Sequence, residues 1–71
     1  MTTDPIRITV NGEPRQFPDG LTLLALLEHF ALDPRAVVVE RNREIVRRPA
    51  LAETAVRAGD AIELVHFVGG G

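Results

Sequence analysis

The chain opens on a two-residue rhythm, in which Ile6, Ile8 and Val10 are separated by Arg7 and Thr9 and followed by Asn11. Such alternation is the period of a strand with one buried face. Asn11-Gly12 comes next, a dipeptide suited to the left-handed backbone angles of a two-residue hairpin turn. A second strand is therefore predicted from about Glu13 to Phe17. Pro14 has no N–H to give a ladder, so this strand belongs at a sheet edge or begins near the proline. Pro18-Asp19-Gly20 ends it.

The rhythm then lengthens. Leu23, Leu24, Leu26, Leu27 and Phe30 recur at helical spacing behind Thr22, a good N-cap, with Glu28 and His29 left for solvent. The helix is predicted to stop near Leu32, because Pro34 disfavours helical angles at Asp33. In so small a chain its apolar stripe is expected to lie against a sheet. Val37-Val38-Val39 begins a third strand, Arg41-Asn42-Arg43 interrupts it with a turn at Asn42, and Glu44-Ile45-Val46 resumes. Parity places Arg41 on the face of Val37 and Val39, so either the strand has ended by then or the arginine stem snorkels over the core. From Arg47 to Asp60 the pattern weakens, although Pro49 before Ala50-Leu51-Ala52-Glu53 suggests one turn of helix. Gly59-Asp60 turns into a last strand, Ile62 to Val68, which runs into Gly69, Gly70 and Gly71.

Hairpin, helix, strand, short strand, irregular segment and final strand, in that order, predict an α+β chain of the β-grasp (ubiquitin-like) class: a mixed four- to five-stranded sheet packed on one main helix. First and last strands would pair in parallel, which needs a crossover, and the helix between them supplies it. One domain is expected over residues 1–68, with 69–71 a flexible tail.

Composition narrows the function classes. Without cysteine there is no disulfide, thiolate metal site or thiol nucleophile, which suits a reducing cytoplasm. No apolar run approaches the ~20 residues that span a bilayer, and Met1 leads into no signal pattern, so a soluble cytoplasmic protein is expected, with no membrane partner. The eight basic residues, all arginine, are mixed with ten acids for a net charge of −2. That excludes the basic face that nucleic acid requires. Arg41, Arg43, Arg47 and Arg48 cluster among Glu40, Glu44 and Glu53 and read as a solvated face. His29 and His66 have no carboxylates at metal or triad spacing, so no metal site and no catalytic group of the chain's own is expected. If Ile62 and Leu64 face the helix, Glu63, Val65 and Phe67 point outward. Together with His66, these exposed side chains form a candidate contact surface beside the tail.

The tail itself calls for chemistry. At an average glycine usage of about 7%, a terminal glycine pair arises by chance about one time in 200, and a triplet far less often. Lacking Cβ atoms, such a segment can enter a channel closed to other side chains and deliver its carboxylate there. Gly59-Asp60-Ala61-Ile62-Glu63-Leu64-Val65-His66-Phe67-Val68-Gly69-Gly70-Gly71, supported by Ile6 to Gly12, the Leu24-Leu26-Leu27 helix and Glu44-Ile45-Val46, resembles the ubiquitin-like sulfur carriers, most of all their thiamine-biosynthesis members. Asn42-Arg43 stands where an Asn-Gly turn is common in that family, and Arg47 where a proline is frequent. The resemblance implies that a ubiquitin-activating-type adenylyltransferase uses ATP to adenylate the Gly71 carboxylate. A sulfur donor then converts the adenylate to a thiocarboxylate, which gives its sulfur to thiazole synthase. It further implies that Gly69 and Gly70, with Val65, His66 and Phe67, contact the partners, that the carrier binds no cofactor itself, and that it is a monomer when free. Three alternatives stay open on the residues: a molybdopterin synthase small subunit or other thiocarboxylate carrier, a protein modifier joined to target lysines, and a β-grasp interaction domain with an incidental tail.

Overall fold

A computed structural model describes residues 4–67. Five strands, β1 (Ile6–Val10), β2 (Glu13–Phe17), β3 (Val37–Arg41), β4 (Glu44–Val46) and β5 (Ala61–His66), form one sheet in the order β2-β1-β5-β3-β4. β1 and β5 pair in parallel at the centre, and every other pairing is antiparallel. Two tight turns set the outer registers. Asn11 and Gly12 take φ of 50° and 81°, and Asn42 and Arg43 take 52° and 72°, so both connections have the paired left-handed residues that match the twist of a hairpin. Arg43 fills a position where glycine would be unstrained. β2, carrying Pro14, lies at the sheet edge as its missing N–H requires.

Helix α1 (Leu23–His29) crosses one face of the sheet and buries Leu23, Leu26 and Leu27 completely. Thr22 caps it, its hydroxyl accepting from the Ala25 N–H at 3.1 Å. The helix ends at His29, three residues before the predicted limit, and proline is not the cause. Ala31 adopts φ 57°, and the Ala31 and Leu32 N–H groups donate to the Glu28 and Leu27 carbonyls at 3.0 and 2.9 Å. This is a Schellman C-cap with alanine in the position that glycine usually holds. An L-residue there costs about 1–2 kcal/mol, partly offset by the smaller backbone entropy of unfolded alanine. Ala31→Gly is therefore expected to stabilise the chain by about 0.5–1 kcal/mol and raise the melting temperature by a few degrees, measured by circular dichroism.

The core between α1 and the sheet contains Ile6, Ile8, Val10, Phe17, Val37, Val39 and Ile62, and is closed by Leu51 and Val56. Leu51 comes from the predicted single helical turn, α2 (Arg48–Leu51). Val56 belongs to the irregular segment after it, which is tied alongside the start of α1 by Val56 N–H to the Leu21 carbonyl and Leu23 N–H to the Thr54 carbonyl. Before β3, a 3₁₀ turn (Pro34–Ala36) is capped by Asp33, whose carboxylate accepts from the side chain and backbone N–H of Arg35. Those bonds hold the Asp33 carboxyl below its ordinary value.

Strand β3 continues through Arg41, so the arginine stays in the sheet, with its side chain 30% exposed. It turns to Asp60, with Nε 3.3 Å from Oδ2. Asp60 is buried and also accepts from the Arg57 N–H and the Asn42 side-chain amide. Asn42 in turn accepts from the Ala61 N–H at 2.9 Å. The Gly59-Asp60 turn is thus the locked starting point of β5, at the opposite end from the tail.

Candidate docking surface at the end of the last strand

β5 is held from both sides. Toward β3 the register runs from Arg41↔Ile62 to Val37↔His66, and the Phe67 N–H donates to the Ala36 carbonyl at 2.8 Å. Toward β1 the strand pairing covers only Ala61 and Ile62. Beyond it the Asn11 carboxamide substitutes for the missing strand, with Oδ1 accepting from the Leu64 N–H at 2.7 Å and Nδ2 donating to the Leu64 carbonyl at 3.3 Å. A carboxamide suits this place because it carries a donor and an acceptor side by side, as a strand's main chain does. The hairpin residue chosen for its backbone angles therefore also anchors the strand that leads to the tail.

This clamping fixes which side chains face outward. Ile62 is fully buried and Leu64 half-buried, whereas Val65 and Phe67 are 50% and 53% exposed, as alternation predicted. Val38 lies opposite Val65 on the same outer face and extends the apolar strip. Ile45, 64% exposed, adds to it from β4 and was not anticipated. The signal was present in the two-residue Asn42-Arg43 turn, which pairs Val39 with Val46 and Glu40 with Ile45, so an inward Val39 dictates an outward Ile45. Glu40 lies directly opposite Glu63, which sets two carboxylates in the same outer face. Each aliphatic or aromatic side chain of this kind contributes about 1.5–3 kcal/mol when fully buried, so the face is suited to covering by a partner.

His66 follows a different rule. Alternation turns it toward the helix side, yet it is exposed, because α1 has already ended at His29. There it borders an open groove with Val10, Phe30, Leu32 and Leu64. His29 packs edge-on against Phe17 and Phe30, with ring centroids 5.0 and 4.9 Å away, which is the packing expected of a structural residue. Among the described residues no group of His, Cys, Asp and Glu could hold a metal ion. The arginine cluster divides, with Arg41 on Asp60 and Arg43, Arg47 and Arg48 at the exposed surface. No described helix is long and apolar enough to cross a membrane. Val68 and the tail residues Gly69, Gly70 and Gly71 lie outside the described residues.

A family model described as the ThiS family matches residues 8–71. The chain belongs to the ThiS family. The sulfur carrier protein ThiS of Bacillus subtilis is 44% identical over 65 residues, covering 90% of this chain and 98% of that protein. The crystal structure of a thiamine biosynthesis protein (ThiS) from Geobacter metallireducens superimposes with a TM-score of 0.75 at 38% identity, covering 93% of this chain and 100% of that one. A protein named thiazole synthase from Paramagnetospirillum magneticum is 46% identical over 66 residues, which is 93% of this chain but 20% of that protein. The chain thus spans about a fifth of the length of that relative, and likewise of a second thiazole synthase, from Magnetococcus marinus. The family and its neighbours bear out the β-grasp reading, with the sheet at the upper end of the expected strand number.

Proposed function

We propose that this chain is a sulfur carrier for thiamine biosynthesis and that the carboxylate of Gly71 is the group that carries the sulfur. The observation that carries the reading is the family match, which runs through the glycine tail to residue 71, together with similarity to a named sulfur carrier along nearly all of its length. The thiamine family also favours this pathway over the molybdopterin synthase alternative. The two relatives named thiazole synthase hold a similar segment within a longer chain, which supports thiazole synthase as the acceptor of the sulfur.

The chemistry follows from the carboxylate. With a reference pKa of about 3.3–3.7 a terminal carboxyl is an anion at neutral pH, and it resists nucleophilic attack until one oxygen becomes part of a leaving group. An adenylyltransferase of the ubiquitin-activating type supplies ATP. A carboxylate oxygen attacks the α-phosphorus and pyrophosphate departs. Hydrosulfide delivered by the sulfur donor then adds to the carbonyl carbon, AMP leaves with its bonding electron pair, and loss of the S–H proton leaves the thiocarboxylate. ATP and sulfur donor belong to the partner, and the carrier is a substrate rather than a catalyst, acting in the cytoplasm. Val65, Phe67, Val38 and Ile45 dock on the enzymes, while Gly69 and Gly70 let the terminus enter a narrow site. Three extended residues reach about 10 Å.

Removing Gly70 and Gly71 is expected to leave the melting temperature within a degree or two, because neither contributes a side chain to the core, and to eliminate ATP–pyrophosphate exchange with the activating enzyme. Equal exchange from truncated and full-length chains would refute Gly71 as the reacting residue.

A further inference from the structure

The main-chain groups of β5 point alternately to its two neighbours. Asn42 N–H donates to the Ala61 carbonyl and Phe67 N–H to the Ala36 carbonyl, so the odd-numbered residues from 61 to 67 address the β3 side. The even-numbered residues address the β1 side, where the Ile62 carbonyl accepts from the Asn11 N–H and Leu64 is bonded twice by the Asn11 carboxamide. His66 is next in that series. β1 has already ended at Val10 and turned away through Asn11-Gly12, its ladder with β5 stops at Ile62, and among the described residues the His66 N–H and carbonyl have no main-chain partner. They form an open strand edge immediately before the tail. Beside that edge, on the helix side of the sheet, lies the groove lined by Val10, Phe30, Leu32 and Leu64 together with Arg15 and His66.

We propose that this edge, at His66, is completed by an extended main-chain segment of the activating enzyme, which pairs with the end of β5 and directs one apolar side chain into the groove. An unpaired edge offers its donor and acceptor at the spacing of an incoming strand, whose inward side chain adds selectivity. The enzyme is the committed occupant because the edge is continuous with the segment that it must draw in. Asn11 sets where the site begins, since its carboxamide closes the edge at Leu64 and leaves the next main-chain pair open. The inference rests on the reading of Gly71 as the reacting residue, and it assigns main-chain recognition to a position distinct from the outward Val65 and Phe67 face.

Two chains made by chemical synthesis test it. One replaces the Val65–His66 amide with an ester, which removes the His66 N–H; the other N-methylates that amide. Both keep every side chain. Affinity for the adenylating enzyme of the same organism is measured by titration calorimetry, adenylation by pyrophosphate exchange, and folding by circular dichroism. Loss of one neutral hydrogen bond is expected to weaken binding by about 3- to 10-fold in the ester. The N-methyl chain, which also blocks the approach of a strand, should bind more weakly still. Melting of the N-methyl chain should stay within a few degrees of the native one. A native chain that is adenylated while both analogues bind within twofold of it would overturn the edge pairing and leave the carrier function standing. A native chain that is neither bound nor adenylated would overturn both. A large drop in N-methyl melting would show that the N–H is already paired in the free chain. Self-association abolished by N-methylation, with enzyme binding intact, would make a second copy the occupant; either result refutes the proposal.

Discussion

Adding one bulky residue after Gly71 is expected to abolish ATP–pyrophosphate exchange while the extended chain still competes with the native one for the activating enzyme. The added residue shifts the carboxylate by roughly 3.3–3.6 Å, whereas misplacement of a reacting group by about 1 Å already costs about 100-fold in rate. The candidate docking residues Val65, Phe67, Val38 and Ile45 are unaltered, and so is every residue of the described core. Geometry at the reacting carbon fails while affinity largely survives. An extended chain that exchanges as well as the native one would show that the terminal carboxylate is not the substrate.

Ile62→Asp and Val65→Asp are expected to separate folding from docking within one strand. Ile62 has no exposed surface and sits between the parallel and antiparallel pairings at the centre of the sheet. A carboxylate there is stripped of water, and the one cation opposite it, Arg41, is already held by Asp60, so the change costs several kcal/mol beyond the lost apolar contacts. A chain of 71 residues has a total stability of about 4–10 kcal/mol, so this variant should be largely unfolded at 25 °C by circular dichroism. Val65 is half exposed and outward, so its replacement should cost about 1 kcal/mol, or about 4–8 °C of melting temperature, chiefly through β-propensity. Binding to the activating enzyme should fall at least tenfold, because a charge enters the apolar face beside Glu63 and Glu40. If Val65→Asp melts as low as Ile62→Asp, the outward assignment of Val65 is wrong.

What the sequence revealed and what it concealed divide along the range of the interactions involved. Alternation at Ile6, Ile8 and Val10, the Asn11-Gly12 turn and the helical leucines are local signals, and they located the hairpin, the helix and the crossover that brings first and last strands together. Outward exposure of Val65 and Phe67 followed from the same two-residue period. The helix end did not, because Ala31 takes a left-handed conformation that its side chain does not advertise; the proline further on looked sufficient. Arg41 was ambiguous since its partner, Asp60, lies nearly twenty residues away and is brought to it only by sheet assembly. The double role of Asn11 is hidden in the same way. Its bonds to Leu64 span 53 residues, so a sequence window that reads it as a turn residue cannot see the clamp. The proposal that Gly71 carries the reacting carboxylate rests on composition, resemblance and the family match through residue 71, since that residue lies outside the described ones.

The most direct measurement is tandem mass spectrometry of the chain after incubation with ATP, the activating enzyme and a sulfur source. The chain is expected to gain the mass of one sulfur replacing one oxygen, localised to the C-terminal fragment that contains Gly71 and dependent on ATP. An unchanged mass under conditions in which a Bacillus subtilis carrier control is converted, or an adduct to a lysine of another protein in its place, would contradict it.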